Sequence, residues 1–147
     1  MLRNIPAILT PPLYDILYSM GHGDRIVIVD ANFPASSNAQ RLCMMPQLGA
    51  CETLALLLQF IKVDTFIQNP VTYMEVVPDD PYTPDIWQDF SRIFAEGSDV
   101  PVNPAFLSRE AFYSATKDAY AVIATGERRR YANIILTKGI IEYGLMG

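Results

Sequence analysis

The sequence predicts an α/β fold: a single three-layer domain with a mixed β-sheet flanked by helices. Three observations support this prediction. Apolar residues at helical spacing alternate along the chain with short runs of β-branched residues, the order expected of a sheet covered by helices. The last two such runs follow one another with no helix between them, which favours a mixed sheet. The 147 residues, half of them hydrophobic and 18% charged, suit one domain over residues 1–147.

The first predicted helix begins at a proline pair. Thr10 is a candidate N-cap, and Pro11 and Pro12 suit the first turn because no N–H donor is required there. Four apolar residues then recur at helical spacing and form one stripe: Leu13, Ile16, Leu17 and Met20. Gly21 is expected to end this helix.

The first predicted strand is the β-branched run at residues 26–29, a pattern typical of a strand buried on both faces. It ends at Asp30, before the turn Ala31-Asn32-Phe33-Pro34. Ligand clefts in α/β sheets open where strands end. A carboxylate at that edge is therefore well placed to contact a ligand.

The remaining elements follow from the same signals. Helices are predicted over residues 51–61, from Thr83-Pro84 to Gly97, and from the N-cap Ser108 to about Asp118. Strands are predicted over residues 73–77, 120–124 and 134–137. Residues 98–104 form a polar loop that contains prolines.

Charge and cysteine content exclude several classes of function. Eleven basic and sixteen acidic residues give a formal net charge of −5, and the one basic cluster, Arg128-Arg129-Arg130, is too short for a nucleic-acid surface. Two cysteines without Cys-x-x-Cys spacing and a single histidine make no zinc motif, so we expect neither metal nor cofactor.

The first residues do not resemble a signal peptide, and no apolar run reaches the roughly 20 residues that cross a bilayer. We expect a cytoplasmic protein without a nucleic-acid or membrane partner.

The apolar composition also predicts self-association. The mean hydropathy of +0.15 is high for a soluble monomer. A subunit interface would cover the extra apolar surface. We therefore expect a homo-oligomer.

His22, the only histidine, lies between two glycines just after the first helix. By itself this position favours an imidazole that caps the free carbonyls of the helix end. An imidazole also titrates near neutral pH and can act as a general acid or base, and the flanking glycines would let a ligand approach closely. Asp24 in the same loop is expected to stabilise the turn.

Asp30 and Arg109 are the charged candidates. Asp30 is either a turn-forming or ion-paired carboxylate, or an acceptor for a substrate hydroxyl. Arg109 follows the cap Ser108 at the positive end of a helix, where a cation costs up to about 1 kcal/mol. A carboxylate or a ligand is expected to hold it, with solvated surface as the alternative.

Tyr131-Ala132-Asn133 is predicted to open the last strand. Two-residue alternation places Tyr131 and Asn133 on one face and turns Ala132 away. A phenol and a carboxamide offer uncharged donors and acceptors that suit a neutral polyol, although an ordinary edge-strand pair would show the same pattern. Together, the candidates favour proton transfer on a substrate rich in hydroxyl groups.

Three groups of motifs resemble the superfamily of L-fucose mutarotases and D-ribose pyranases. The resemblance rests on Met20-Gly21-His22-Gly23-Asp24 with Asp30-Ala31-Asn32-Phe33-Pro34-Ala35, on Arg109-x-x-Phe112-Tyr113, and on Thr125-Gly126-Glu127-Arg128 with Tyr131-Ala132-Asn133-Ile134 and Lys138-Gly139. It covers nearly the whole chain and favours the fucose branch.

The resemblance implies a role for each candidate residue. His22 would be the catalytic proton donor, and five residues would bind the sugar: Asp30, Arg109, Tyr131, Ala132 and Asn133. Family members form rings, typically decamers of two stacked pentamers, with the pocket near subunit boundaries. Two positions depart from the pattern and bear on which sugar fits: Ala132, where glycine is common, and Asn32, where relatives can have histidine.

The implied reaction is the interconversion of the α and β anomers of a reducing monosaccharide, with L-fucose the first expectation. The ring would open by general acid and base catalysis and close again, without a cofactor. Two alternatives remain at this point: a pyranase or mutarotase for another sugar, and a non-catalytic sugar-binding protein.

Overall fold

A computed structural model describes residues 1–142 and residue 144. Within this part there are five helices: α1 (Pro11–Ser19), α2 (Ala35–Asn38), α3 (Ala50–Leu58), α4 (Ile86–Gly97) and α5 (Arg109–Asp118). The same part contains six strands: β1 (Arg25–Val29), β2 (Leu42–Met45), β3 (Val71–Met74), β4 (Ala105–Leu107), β5 (Ala121–Thr125) and β6 (Ile134–Thr137). None of the helices described is long and apolar enough to cross a lipid bilayer.

The strands form one mixed sheet in the order β2-β5-β1-β6-β3-β4. β6 runs antiparallel to both of its neighbours, β1 and β3, whereas the other pairs are parallel. Because β6 is reversed, it begins at the edge where the five parallel strands end. We call this edge the C-terminal edge of the sheet and the opposite one the N-terminal edge.

Helices cover both faces of the sheet and make three layers. In β1, the buried side chains of Ile26 and Ile28 join the hydrophobic cluster beneath α1, α3 and α4. Val27 and Val29 alternate to the other face and join the cluster beneath α2 and α5. A strand buried on both faces needs a continuous apolar sequence, which explains the uninterrupted run at residues 26–29. The predicted α/β fold of three layers is confirmed.

The predicted helices are present, with shifted boundaries in places. The proline pair begins α1, and Ser108 caps α5 by accepting a hydrogen bond from the Ala111 amide at 3.2 Å. α3 ends at Leu58, three residues earlier than predicted. α2, β2 and β4 are elements that the sequence did not predict. Each is only three or four residues long and contains no β-branched residue, so β2 and β4 lack the signal that identified the other short strands.

The strand predicted over residues 73–77 has the wrong boundaries, and so does the extended opening predicted for residues 131–133, whereas the strand predicted over residues 134–137 is confirmed. β3 spans Val71–Met74, so residues 75–77 leave the sheet and form a loop. The last strand begins at Ile134, and Tyr131 has a φ of 61°, a left-handed conformation that a strand residue does not adopt. Strand alternation therefore does not explain how Tyr131 and Asn133 are oriented.

Candidate active site

A polar cleft of about 200 Å³ opens at the C-terminal edge of the sheet. Four of the predicted site residues line it: Asp30, Arg109, Tyr131 and Asn133. Asp30 follows β1, Arg109 begins α5 just after β4, and the other two precede β6. The reversed direction of β6 is what brings these segments together. The cleft is smaller than the roughly 300–1,000 Å³ typical of sites for drug-sized ligands and suits a small polar molecule.

Asp30 and Asn133 form a buried pair on the floor of the cleft. The Asn133 side-chain oxygen accepts from the Asp30 amide at 2.9 Å, and its Nδ2 donates to Asp30 Oδ2 at 3.2 Å. Asp30 Oδ1 accepts from the Asn32 amide at 3.0 Å. A carboxylate has about four acceptor sites, so both oxygens can still accept from a ligand hydroxyl.

Burial dominates the electrostatics of Asp30. Its loss of solvent raises the pKa of this carboxyl above the usual aspartate range, although the hydrogen bonds from Asn32 and Asn133 act in the opposite direction. A carboxyl group with a raised pKa holds a proton more readily than a solvated one.

Tyr131 is held by the loop that follows β3. Its hydroxyl donates to Asp80 Oδ2 at 2.5 Å, and its ring stacks on Tyr82 with centroids 5.9 Å apart. Arg130 also donates to Asp80, and its guanidinium lies over the Tyr82 ring. Burial and the bond to Asp80 raise the pKa of Tyr131. Because the phenol proton is engaged by Asp80, the phenol oxygen is left to accept a hydrogen bond from a ligand.

Arg109 lies on the rim of the cleft, at the first position of α5. A carboxylate or a ligand was expected to hold it. Among the described residues no carboxylate does; instead, Arg109 Nε donates to the Tyr113 hydroxyl at 3.3 Å, one helical turn along. This bond raises the pKa of Arg109, which stays cationic. The other guanidinium donors remain for a ligand oxygen.

Ala132 is buried on the opposite side of the backbone from the cleft, in the hydrophobic cluster beneath α1, α3 and α4. Its methyl group does not line the cleft. Any contact of this residue with a ligand would come from the backbone.

His22 is not part of this cleft within one chain. It precedes β1 whereas Asp30 follows it, and β1 alone is about 16 Å long at roughly 3.3 Å per residue. His22 therefore lies at the N-terminal edge, where its Nε2 contacts Asp64 Oδ1 at 2.9 Å. Asp24 accepts from the Gly21 amide at 2.8 Å and stabilises the turn in the predicted way.

A second cavity, of about 330 Å³, lies beside α1 and contains none of the predicted site residues. Aromatic and aliphatic side chains line most of it, including Tyr14, Tyr18 and Phe60. Its one charged lining residue, Lys138, already donates to the carbonyls that end α1. The smaller cleft at the C-terminal edge is therefore the better candidate for chemistry.

Two contact residues, Asp64 and Asp80, were missed in the sequence. Each lies in a loop far along the chain from its partner, at 42 positions from His22 and 51 positions from Tyr131. Asp64 has no neighbouring motif in the sequence. A signal was nevertheless available for Asp80, since Asp79-Asp80-Pro81 places carboxylates in the turn after a strand, at the edge where clefts open.

The fold and the site define an α/β protein with a small polar cleft at the C-terminal edge of its mixed sheet. The model of the RbsD / FucU transport protein family matches residues 3–141, and the chain belongs to this family. The superfamily resemblance seen in the sequence is thereby confirmed.

Curated relatives and solved structures agree with this membership. The fucose mutarotase of Homo sapiens is 40% identical over 147 residues, which cover 95% of this chain and 94% of the relative. A crystal structure of the fucose mutarotase from Streptococcus pneumoniae in complex with L-fucose is 37% identical, with a TM-score of 0.91 over 96% of this chain and 100% of that one. The structure of Bacillus subtilis RbsD complexed with D-ribose is 30% identical, with a TM-score of 0.71 over 91% and 95% of the two chains.

Proposed function

We propose that this chain is a mutarotase that interconverts the α and β anomers of L-fucose. The observation that supports this most strongly is its similarity, over nearly its whole length, to fucose mutarotases that include one solved with L-fucose bound. The chemistry of the cleft agrees, because a buried carboxyl, an amide, a phenol and a guanidinium can bind the hydroxyl groups of a monosaccharide.

The reaction consists of proton transfers and one reversible bond cleavage. A base takes the proton of the anomeric hydroxyl, the C1–O1 bond becomes a carbonyl, and the bond from C1 to the ring oxygen breaks. An acid protonates the ring oxygen as it leaves. Rotation about C1–C2 presents the other carbonyl face, and the reverse steps close the ring. No electrons are gained or lost, so the reaction requires no redox cofactor.

We assign the binding roles from the geometry of the cleft. Asp30 accepts hydrogen bonds from sugar hydroxyls, and Asn133 holds that carboxylate in place. The phenol oxygen of Tyr131 accepts a further hydroxyl, and Arg109 donates to a sugar oxygen from the rim. Ala132 contributes its backbone. Asn32 also lines the cleft, where it is placed to influence which sugar fits.

We further propose that His22 acts in the cleft of a neighbouring copy. It is the only imidazole of the chain, and imidazoles are common general acids and bases, yet it lies at the sheet edge opposite its own cleft. Its imidazole is 37% exposed, and the adjoining Phe66 and Ile67 are exposed apolar residues that a subunit contact would cover. A closed ring of copies, such as a decamer of two pentamers, would give every cleft one such histidine.

A cytoplasmic location completes the proposal. Cys43 and Cys51 are both free thiols, which suits a reducing compartment.

Saturation-transfer NMR on the anomeric protons of L-fucose tests this function. The protein should speed exchange between the two anomers above the spontaneous rate, whereas a protein that only binds sugar would broaden the signals without faster exchange. His22→Ala is expected to lower the catalysed rate by about 10²–10⁴-fold, the usual contribution of a general acid or base. D-ribose and other reducing sugars in the same assay separate the pyranase and mutarotase alternatives. Faster exchange with D-ribose than with L-fucose would contradict the proposed substrate.

A further inference from the structure

The contact between His22 and Asp64 has features beyond an ordinary surface ion pair. The side chain of Asp64 is 2% exposed. Its carboxylate accepts a hydrogen bond from one imidazole nitrogen, Nε2, at 2.9 Å. Among the described residues the other nitrogen, Nδ1, has no hydrogen-bond partner, and the imidazole is 37% exposed. The imidazole and the Phe66 ring also pack nearly perpendicular to each other, with centroids 4.8 Å apart. One side of the histidine is therefore held by protein while the other faces outward.

The residues just after β6 fix the positions of both the His22 loop and the Asp64 loop. Lys138 exchanges backbone hydrogen bonds with the His22 loop, donating to Asp24 and accepting from Gly23, each at 2.8 Å. Next to it, the Gly139 amide donates to Lys62 at 2.7 Å, beside the backbone of Asp64. A Cβ at Gly139 would lie 2.9 Å from the Asp64 Cα, so only glycine permits this approach. The two loops are thus fixed to one strand.

The chemistry of the carboxylate determines which nitrogen carries hydrogen. Burial alone would raise the pKa of Asp64, but the hydrogen bonds from His22 and from the Phe66 amide lower it below the usual range. Asp64 is therefore ionised at neutral pH, and an ionised carboxylate only accepts hydrogen bonds. Nε2 must then be the protonated nitrogen in the neutral imidazole, and Nδ1 carries the lone pair.

We propose that Asp64 is a positioning residue that holds His22 through Nε2–H and leaves Nδ1 as the atom that exchanges protons with the sugar. The proposal rests on the function proposed above. It adds the orienting group, the tautomer and the reacting atom. A buried acid that orients an imidazole in this way also stabilises the imidazolium formed when Nδ1 takes a proton.

The single histidine of the chain makes this directly measurable. A long-range ¹H–¹⁵N correlation spectrum of the ¹⁵N-labelled protein contains one native imidazole, provided that any affinity tag has been removed. We expect wild type to show the Nε2–H tautomer. In Asp64→Asn the side chain can donate as well as accept, so the Nδ1–H tautomer should become populated. The kcat for L-fucose anomer exchange should then fall by at least about tenfold, with KM within about twofold.

Asp24→Asn is the matched control, because it removes a carboxylate from the same loop without touching the imidazole. It should keep the tautomer and the kcat of wild type. Asp64→Glu preserves an acceptor-only group and should retain Nε2–H. It also provides the test if Asp64→Asn fails to fold.

The outcomes separate this inference from the proposed function. An Nδ1–H tautomer in active wild type, or an unchanged kcat in folded Asp64→Asn, would overturn the role of Asp64 alone. A wild-type protein that does not accelerate anomer exchange would overturn the proposed function, and the assignment of Nδ1 with it.

Discussion

A shared site between copies predicts that two inactive variants restore activity when they assemble together. His22→Ala keeps an intact cleft, and Asp30→Asn keeps an intact imidazole at the other end of β1. His22→Ala alone should lose about 10²–10⁴-fold in catalysed exchange. Asp30→Asn alone should also lose most of its activity, because the cleft no longer has its carboxylate acceptor for the sugar hydroxyls. A site in a mixed assembly is complete when its cleft comes from one variant and its histidine from the other. In a closed ring assembled at random from equal amounts, half of the clefts are intact and half of the histidines that face them are intact. About a quarter of the sites are therefore complete.

The assay is saturation-transfer NMR with L-fucose on co-expressed variants that carry two different tags, purified through both. The matched control pairs His22→Ala with the double variant His22→Ala/Asp30→Asn, which supplies no intact histidine and should recover nothing. Size-exclusion chromatography with light scattering establishes that both mixtures have assembled. If the first mixture is no more active than the average of its two parents, His22 does not act in a neighbouring cleft, and the geometric reasoning fails.

Three further predictions concern residues that hold the fold and the site in place. Gly139→Ala should cost about 1–3 kcal/mol in unfolding free energy, because the added Cβ meets the Asp64 backbone at 2.9 Å; a urea midpoint equal to wild type would refute this. Glu127→Gln should cost about 1–2 kcal/mol at neutral pH, less than for a fully buried pair because its partner Arg129 is partly exposed. Hydrogen bonds outweigh burial and lower the pKa of Glu127. The stability contributed by the ionised side chain is therefore present above the pKa of the unfolded state and is lost as pH falls through the pKa of the folded state. The difference in unfolding free energy between wild type and Glu127→Gln should therefore shrink in acid. A difference that does not change with pH in urea titrations would contradict this prediction. Asn133→Ala should lose about 1–3 kcal/mol of stability, because it leaves the buried Asp30 amide unpaired, and should weaken fucose binding in calorimetry; unchanged affinity would exclude a positioning role.

Local patterns were sufficient for the part of the site that depends on one element. The buried run at residues 26–29 placed Asp30 at a strand end, and Ser108 placed Arg109 at a helix start. These predictions needed only the period of a strand and the chemistry of a cap. The opposite positions of His22 and Asp30 were not predicted, although one residue precedes and the other follows a single strand.

Pairings between distant segments could not be predicted in this way. Asn133 reaches the Asp30 backbone across 103 positions only because β6 lies between β1 and β3 and runs against both. Strand order and direction depend on how the whole sheet packs, and no window of the sequence contains that information. The bond between Tyr131 and Asp80 likewise depends on a left-handed φ at Tyr131, which side-chain alternation does not indicate.

The reversed strand also explains how one small domain can support two separated groups. The residues before β6 form the floor and wall of the cleft, and the residues after it hold the loops of His22 and Asp64. β6 is buried and hydrogen-bonded on both sides by β1 and β3, so the two ends of the sheet cannot move independently without breaking ladder hydrogen bonds. If copies share sites as proposed, each subunit presents its cleft and its histidine at a fixed separation. The alignment of the reacting groups then depends on the interface between subunits, so a variant that loosens the interface should lower kcat even when every residue of the cleft is intact.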